Sequence, residues 1–336
     1  MTTRNPLSRL GRILVTLCLL APLIAQAVEF ARGADISSVT EQEAAGRVFR
    51  DVQGKPEDPF VLLKGLGVNA VRLRVWVQPK TPWCDLEDTL RKARRAQGQG
   101  QRVMIDFHYS DTWAGLHHQT PPAAWSDHRL AELRQDVAQH TRRVLTALKE
   151  QGIQVHWVQV GNEINAGMLW PKGQVQGKQA DYEELAKLIN AGYDSVKEVY
   201  PQAQVVVHLA GGGRAEVLRE FLDGVQSAGG RWDVLGVSHY PDPARWMGDN
   251  QQLRRSLGEA VRRYGKPVMV VETGMNWQQP AVSQAMLKDV IQDLRALGDK
   301  GAGIFYWEPA TFPDWSKYQR GALDTRGRFT SALEAY

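Results

Sequence analysis

The chain is poor in cysteine: only Cys18 and Cys84 occur among its 336 residues. That excludes a disulfide framework and a metal centre built on clustered thiolates. Cys84 sits in no nucleophile motif, and Leu17 before Cys18 is not the small residue that precedes a lipid-modified cysteine. Long apolar runs are missing beyond the N-terminus, so the body of the chain offers no membrane-spanning helix. An excess of one charge is also missing, with 41 Lys and Arg against 37 Asp and Glu. The basic residues are spread along polar stretches such as LRKARRAQGQGQR (90–102), the pattern of a solvated helix face rather than a nucleic-acid surface. No His-x-His pair or three-His cluster is present to claim a metal, and no metal or other cofactor is assigned.

What is there begins with MTTRNPLSRLGRILVTLCLLAPLIAQA. Arg4, Arg9 and Arg12 precede an apolar core from Ile13 to Ile24, and the segment closes on Ala25-Gln26-Ala27. This order reads as a secretory signal peptide over 1–27, its core shorter than the roughly 20 residues of a spanning helix. The expectation is a secreted or periplasmic protein, monomeric and free of the membrane once the signal is cleaved, with the mature chain starting near Val28. Cleavage leaves 38 basic against 37 acidic side chains, a net charge of +1.

The rest alternates short apolar runs with helical patterns. Strands are predicted at 30–37, 69–77, 102–110, 155–163, 203–210, 232–241, 266–274 and 302–310. Segments such as DYEELAKLINAGYDSVKEVYP lie between them and end in Pro or Gly. Eight strand-then-helix units predict a single (β/α)8 TIM barrel, an α/β fold, over 28–336. A doubly wound open sheet would need a Gly-rich phosphate fingerprint after its first strand. GADISSVTEQEAAG is not one, nor does AGGGR (210–214) supply it later.

Barrels of this kind carry their chemistry where the strands end. In NAVRLRVWV, Arg72, Arg74 and Trp76 share one parity and Val71, Leu73 and Val75 the other, so the arginines face the lumen. Asp106 and His108 repeat the pattern on the third strand. Buried arginines require carboxylates at their depth, and Glu163 and Glu272 close the fourth and seventh strands. A structural ion-pair network is one reading of these charges. Two glutamates across the mouth, with Asn162, His108, Tyr240 and Trp307 around them, suggest glycoside hydrolysis, in which one acid protonates the leaving oxygen and the other attacks the sugar carbon.

The stretches RVMIDFHYSDTWA, VQVGNEINAGMLWP, VMVVETG and GIFYWEPA, in this order and spacing, resemble the endo-β-1,4-galactanases of glycoside hydrolase family 53. The resemblance runs over 33–325. It implies a retaining barrel enzyme acting on β-1,4-galactan, with Glu163 as acid/base and Glu272 as nucleophile. It further implies that Asn162 binds the 2-hydroxyl of the cleaved sugar, that Arg72 and Tyr240 hold Glu272 ionised, and that His108 and Trp307 line the same subsite. A negative Glu272 would in turn keep Glu163 protonated until the leaving oxygen needs the proton. Trp113, Trp277 and Trp315 lie in loops beyond strand ends and are candidates for stacking on further sugars, whereas Trp157 and Trp232 read as core. The stretch GLHHQTPPAAW departs from the family pattern, and so does His239, whose parity with Leu235 and Val237 points it at the helices. Two other readings stay open: an endo-β-glycanase acting on mannan or glucan, and a non-catalytic carbohydrate-binding barrel.

Overall fold

The computed structural model describes Thr2, residues 29–175 and residues 182–336. Apart from Thr2, the expected signal peptide at 1–27 lies outside the described residues. Eight parallel strands close into a barrel. They are β1 (Ala31–Asp35), β2 (Ala70–Val75), β3 (Arg102–Phe107), β4 (Val155–Val160), β5 (Gln204–Leu209), β6 (Val234–His239), β7 (Val268–Thr273) and β8 (Gly301–Trp307). Each pairs with its neighbour in sequence, and β8 closes on β1, as a TIM barrel requires. Among the described residues, no helix is long and apolar enough to cross a membrane.

The helices follow from period and caps. After two short helices, α1 (Val39–Ala44) and α2 (Pro59–Gly65), come α3 (Leu86–Gly98), α4 (Leu130–Glu150), α5 (Tyr182–Val199), α6 (Ala215–Ser227), α7 (Trp246–Tyr264) and α8 (Pro280–Arg295). Asp85 caps α3 by accepting the Asp88 N–H at 2.8 Å, and Gly265 ends α7 with φ at +65°. A two-stranded ribbon, Gly167–Met168 against Gly173–Gln174, stands between β4 and α5.

Two layers of core result from strand alternation. Val71, Leu73 and Val75 join the large apolar layer under the helices. Inside the barrel, Ala31, Met104, Trp157, Val206, Met269, Val271 and Phe305 fill the lumen. Gly33 is required there, because a Cβ at its position would run into the Phe305 ring. Trp232 is buried as well.

Strand β7 is irregular. Val237 and Ser238 on β6 face Val270 and Glu272, and Ile304 and Tyr306 on β8 face Val270 and Thr273, so β7 carries one residue more than each neighbour at this point. Such a bulge re-aims side chains. Val271 belongs to the lumen cluster and Glu272 reaches Arg72, so two consecutive side chains face inward. Just beyond β3, β4 and β8, Tyr109, Glu163 and Glu308 take φ values of 49°, 48° and 46°. Non-glycine residues enter this region at a cost of about 1 kcal/mol or more, typically where a functional side chain must be held.

Candidate active site

Above the apolar lumen lies a polar layer centred on Arg72. The side chain is fully buried, and its donors are spread over five partners. Nη1 meets Asp35 Oδ2 at 2.7 Å and Nε meets Gln159 Oε1 at 3.1 Å. Nη2 meets Asn162 Oδ1 at 2.8 Å and both Asp106 Oδ2 and Glu272 Oε1 at 2.9 Å. Three carboxylates around one guanidinium overcompensate its charge. Asp106 is nonetheless held below the usual carboxylate range, since Arg72 and His108 together outweigh the burial that raises it.

His108 receives the Ala114 N–H on Nδ1 at 3.0 Å, which leaves the proton on Nε2, 3.1 Å from Asp106 Oδ2. Burial depresses its pKa. Asn162 gives one of its two N–H groups to the Ala114 carbonyl at 2.9 Å.

Glu163 leaves β4 on its left-handed turn. Its Oε1 accepts the Ser238 hydroxyl at 2.7 Å and its Oε2 the Leu116 N–H at 3.3 Å. Behind it stands His208 on β5. The Gln159 amide (3.1 Å) and the Glu163 backbone N–H (3.3 Å) both point at Nδ1, with Asn162 Oδ1 at 2.9 Å, and Nε2 lies 2.8 Å from Ser238 Oγ. Contacts thus run from the Glu163 N–H through His208 and Ser238 back to the Glu163 carboxylate, a loop that starts and ends on one residue. Burial keeps His208 neutral, its pKa well below the ordinary value.

A carboxylate oxygen of Glu163, one of Glu272 and a ring nitrogen of His208 lie within 4.8 Å of one another. Such a trio has the elements of a metal site, but both His208 nitrogens already serve the hydrogen-bond loop. Glu272 Oε2 accepts the Tyr240 hydroxyl at 3.1 Å. Tyr240 is itself raised well above its ordinary pKa, by burial first and then by Glu272.

Arg72 and Tyr240 are the donors expected to hold Glu272 ionised. Both contacts are made, yet burial pushes the Glu272 carboxyl up to about 8. Arg72 pulls it down, while Glu163, Asp106 and Asp35 add to the rise. Arg72 divides one charge among three carboxylates and cannot neutralise them all.

Trp307, at the end of β8, packs edge-on to Trp113 with centroids 5.8 Å apart. Trp113 is 49% exposed and lies under the Arg74 guanidinium, 3.9 Å from its ring centroid. Trp113, Trp307 and Trp315 share a depression of about 290 Å³ on the β8–β1–β2 side. Glu163 and Tyr240 line another, of about 370 Å³, on the β5–β6 side. Trp277 is half-buried and gives its indole N–H to Gln319 at 3.1 Å. His239 turns outward to Asn250 on α7 at 2.8 Å. Sequence reasoning missed Asp35, Gln159, His208, Ser238 and Glu308 as members of the site. Glu308 meets Arg74 at 3.5 Å and accepts the Ser38 N–H at 3.1 Å, and burial pushes it up to about 7. Only the lumen parity of Asp35 and the motif YWEPA could have pointed to any of these.

Two glutamates facing each other at the C-terminal mouth of an eight-stranded barrel, ringed by aromatic side chains, define a glycoside hydrolase. The model of glycosyl hydrolase family 53 matches residues 31–333, and the chain belongs to that family. It is 36% identical to a probable arabinogalactan endo-β-1,4-galactanase A of Aspergillus terreus, over 89% of each chain. Among solved structures, a fungal β-1,4-galactanase superposes with a TM-score of 0.84 at 31% identity, covering 92% of this chain and 99% of the other. The family 53 catalytic domain of Ignisphaera aggregans gives 0.83 at 30% identity, covering 94% and 97%.

Proposed function

We propose that the protein is an exported, monomeric endo-β-1,4-galactanase that cleaves the galactan side chains of pectic arabinogalactan with retention of configuration. The segment 1–27 serves as its signal peptide and 28–336 as its one catalytic domain. The spacing of the two carboxylates carries the mechanistic part. Oxygens within 4.8 Å fit direct attack by one carboxylate, whereas inversion needs carboxyl groups about 6.5–9.5 Å apart to admit a water.

In this reading Glu163 donates a proton and Glu272 attacks as the carboxylate. An oxygen of Glu272 forms a bond to the anomeric carbon, the glycosidic bond breaks, and the Glu163 proton passes to the leaving oxygen. Esterification removes the negative charge of Glu272. Glu163, now ionised, takes a proton from water, whose oxygen attacks the anomeric carbon and frees Glu272. Arg72 and Tyr240 supply the donors that receive the carboxylate when Glu272 leaves the sugar. Asn162 offers its remaining N–H to the 2-hydroxyl, and His108 and Trp307 line the subsite. Trp113, Trp277 and Trp315 stack on sugars farther along. Depressions on both sides of Glu163 and Glu272 suit a polymer cut at an internal bond, and no nucleic acid or cofactor has a role.

The test is incubation with purified β-1,4-galactan, mannan and cellulose, sizing the products and following the first anomer by NMR. Galactan should shorten to oligomers that emerge as the β anomer. Cleavage of mannan or cellulose in preference to galactan overturns the substrate, and an α anomer appearing first overturns the double displacement.

A further inference from the structure

Beyond the tryptophan-lined depression lies an open, shallow one of about 610 Å³, lined by Arg47, Arg50, Arg326 and Arg328. That size falls within the range of about 300–1,000 Å³ of small-molecule sites. Arg47 is answered by Asp314 at 3.1 Å and Arg328 by Asp324 at 3.0 Å. Among the described residues, neither Arg50 nor Arg326 has a carboxylate in ion-pair reach. Arg50 gives one N–H to the Gly54 carbonyl at 3.0 Å. Two guanidinium charges on one wall are therefore uncompensated, in a chain whose charges otherwise nearly balance.

The wall is preformed. Arg50 forms backbone bridges with Pro56 and with Arg328, and its N–H meets the Gly327 carbonyl at 2.9 Å. Gly327, with φ at +79°, allows this close approach, since a Cβ there would collide with the Val48 carbonyl oxygen. The depression also continues the cleft. The Arg47 guanidinium lies 5.2 Å from the ring centre of Phe312 and 5.9 Å from that of Trp315, and Trp315 faces the depression shared with Trp113 and Trp307.

Planar guanidinium groups pair with carboxylates through two parallel hydrogen bonds. We infer that this depression binds the carboxylate of a uronic-acid-bearing glycan, an acidic stretch of the same branched polymer whose neutral chain lies in the cleft. The inference rests on the galactanase reading for the neutral chain.

Affinity electrophoresis and calorimetry with short galacturonate oligomers test it, against neutral galacto-oligomers and inorganic phosphate. The variants are Arg50→Ala/Arg326→Ala and, because Arg50 supports the loop through Gly54, the exposed Arg326→Glu alone. The wild type should bind galacturonate with an affinity that falls as salt rises. Both variants should weaken binding about tenfold or more, as loss of charge-assisted hydrogen bonds does, while cleavage of short neutral galacto-oligomers stays unchanged. Equal binding by wild type and variants overturns the inference. Phosphate displacing galacturonate at equal concentration does so too, since the depression would then be a general anion patch. Loss of the galactanase reading shows separately, as absent cleavage of neutral galactan while uronate binding persists.

Discussion

Glu272→Gln preserves the size of the side chain and lets Arg72 and Tyr240 keep a partner, but it removes the proton. The folded carboxyl titrates near 8 against an ordinary value of 4.5. Because the folded value is the higher one, Glu272 contributes its full stability below pH 4.5 and loses it as pH rises through 8. Each pH unit inside that window is worth about 1.4 kcal/mol, so the wild type should fall behind the Gln variant by about 3 kcal/mol at pH 7 and by about 5 kcal/mol above pH 8. Urea denaturation of both proteins, from about pH 4 to about pH 9, reads this directly as a change in the difference between their unfolding free energies. Other titrating groups are common to both proteins and largely cancel. A difference that stays flat across the series would mean that Arg72 offsets burial, which would refute the raised titration of Glu272.

Three further outcomes are expected. With an activated aryl galactoside, Glu163→Ala should form the glycosyl-enzyme and stall, and azide should restore turnover with a β-azide product; Glu272→Ala should give the α-azide, and swapped anomers would exchange the two roles. Arg72→Lys replaces a fork by a point charge that cannot reach all five partners, so unfolding free energy should drop by about 3–5 kcal/mol; a loss below about 1 kcal/mol would show that the cluster does not depend on the guanidinium. Trp113→Ala should raise KM for galacto-oligomers with kcat little changed and stability altered by about 1 kcal/mol or less, because the ring is half-exposed; a collapse of kcat at constant KM would place the ring at the reacting sugar instead.

The barrel was legible because alternation is local. On β2, the arginines and the valines separate by parity alone, and the structure places Arg72 inside and Val71 outside. Eight such segments with helical patterns between them leave little freedom for the fold. The partners of the glutamates were not legible in the same way. His208 sits in a run of valines, and its use depends on the backbone of Glu163, 45 residues earlier, and on Ser238, 30 residues later. Asp35 follows small residues and shows its purpose only when Arg72 arrives beside it at 2.7 Å. Protonation was the least legible property. A neighbouring Arg favours an ionised glutamate, but burial and the three carboxylates of Glu163, Asp106 and Asp35 oppose it, and none of these is visible in the motif VMVVETG.

Strand β7 behaves like a reading frame. Val271 is a one-residue insertion that shifts the phase of the residues after it, and the inward aim of Glu272 depends on that shift rather than on any property of the glutamate itself. In an unshifted strand, Glu272 would share the parity of Val268 and Val270 and drive a carboxylate into the apolar layer under the helices, at a cost of several kcal/mol. The length of the strand between Val268 and Glu272 is thus as much a determinant of the chemistry as the acid it carries. Two barrels of this kind with the same residues at every strand end, but one residue fewer before the seventh, would differ as an enzyme differs from an inert scaffold.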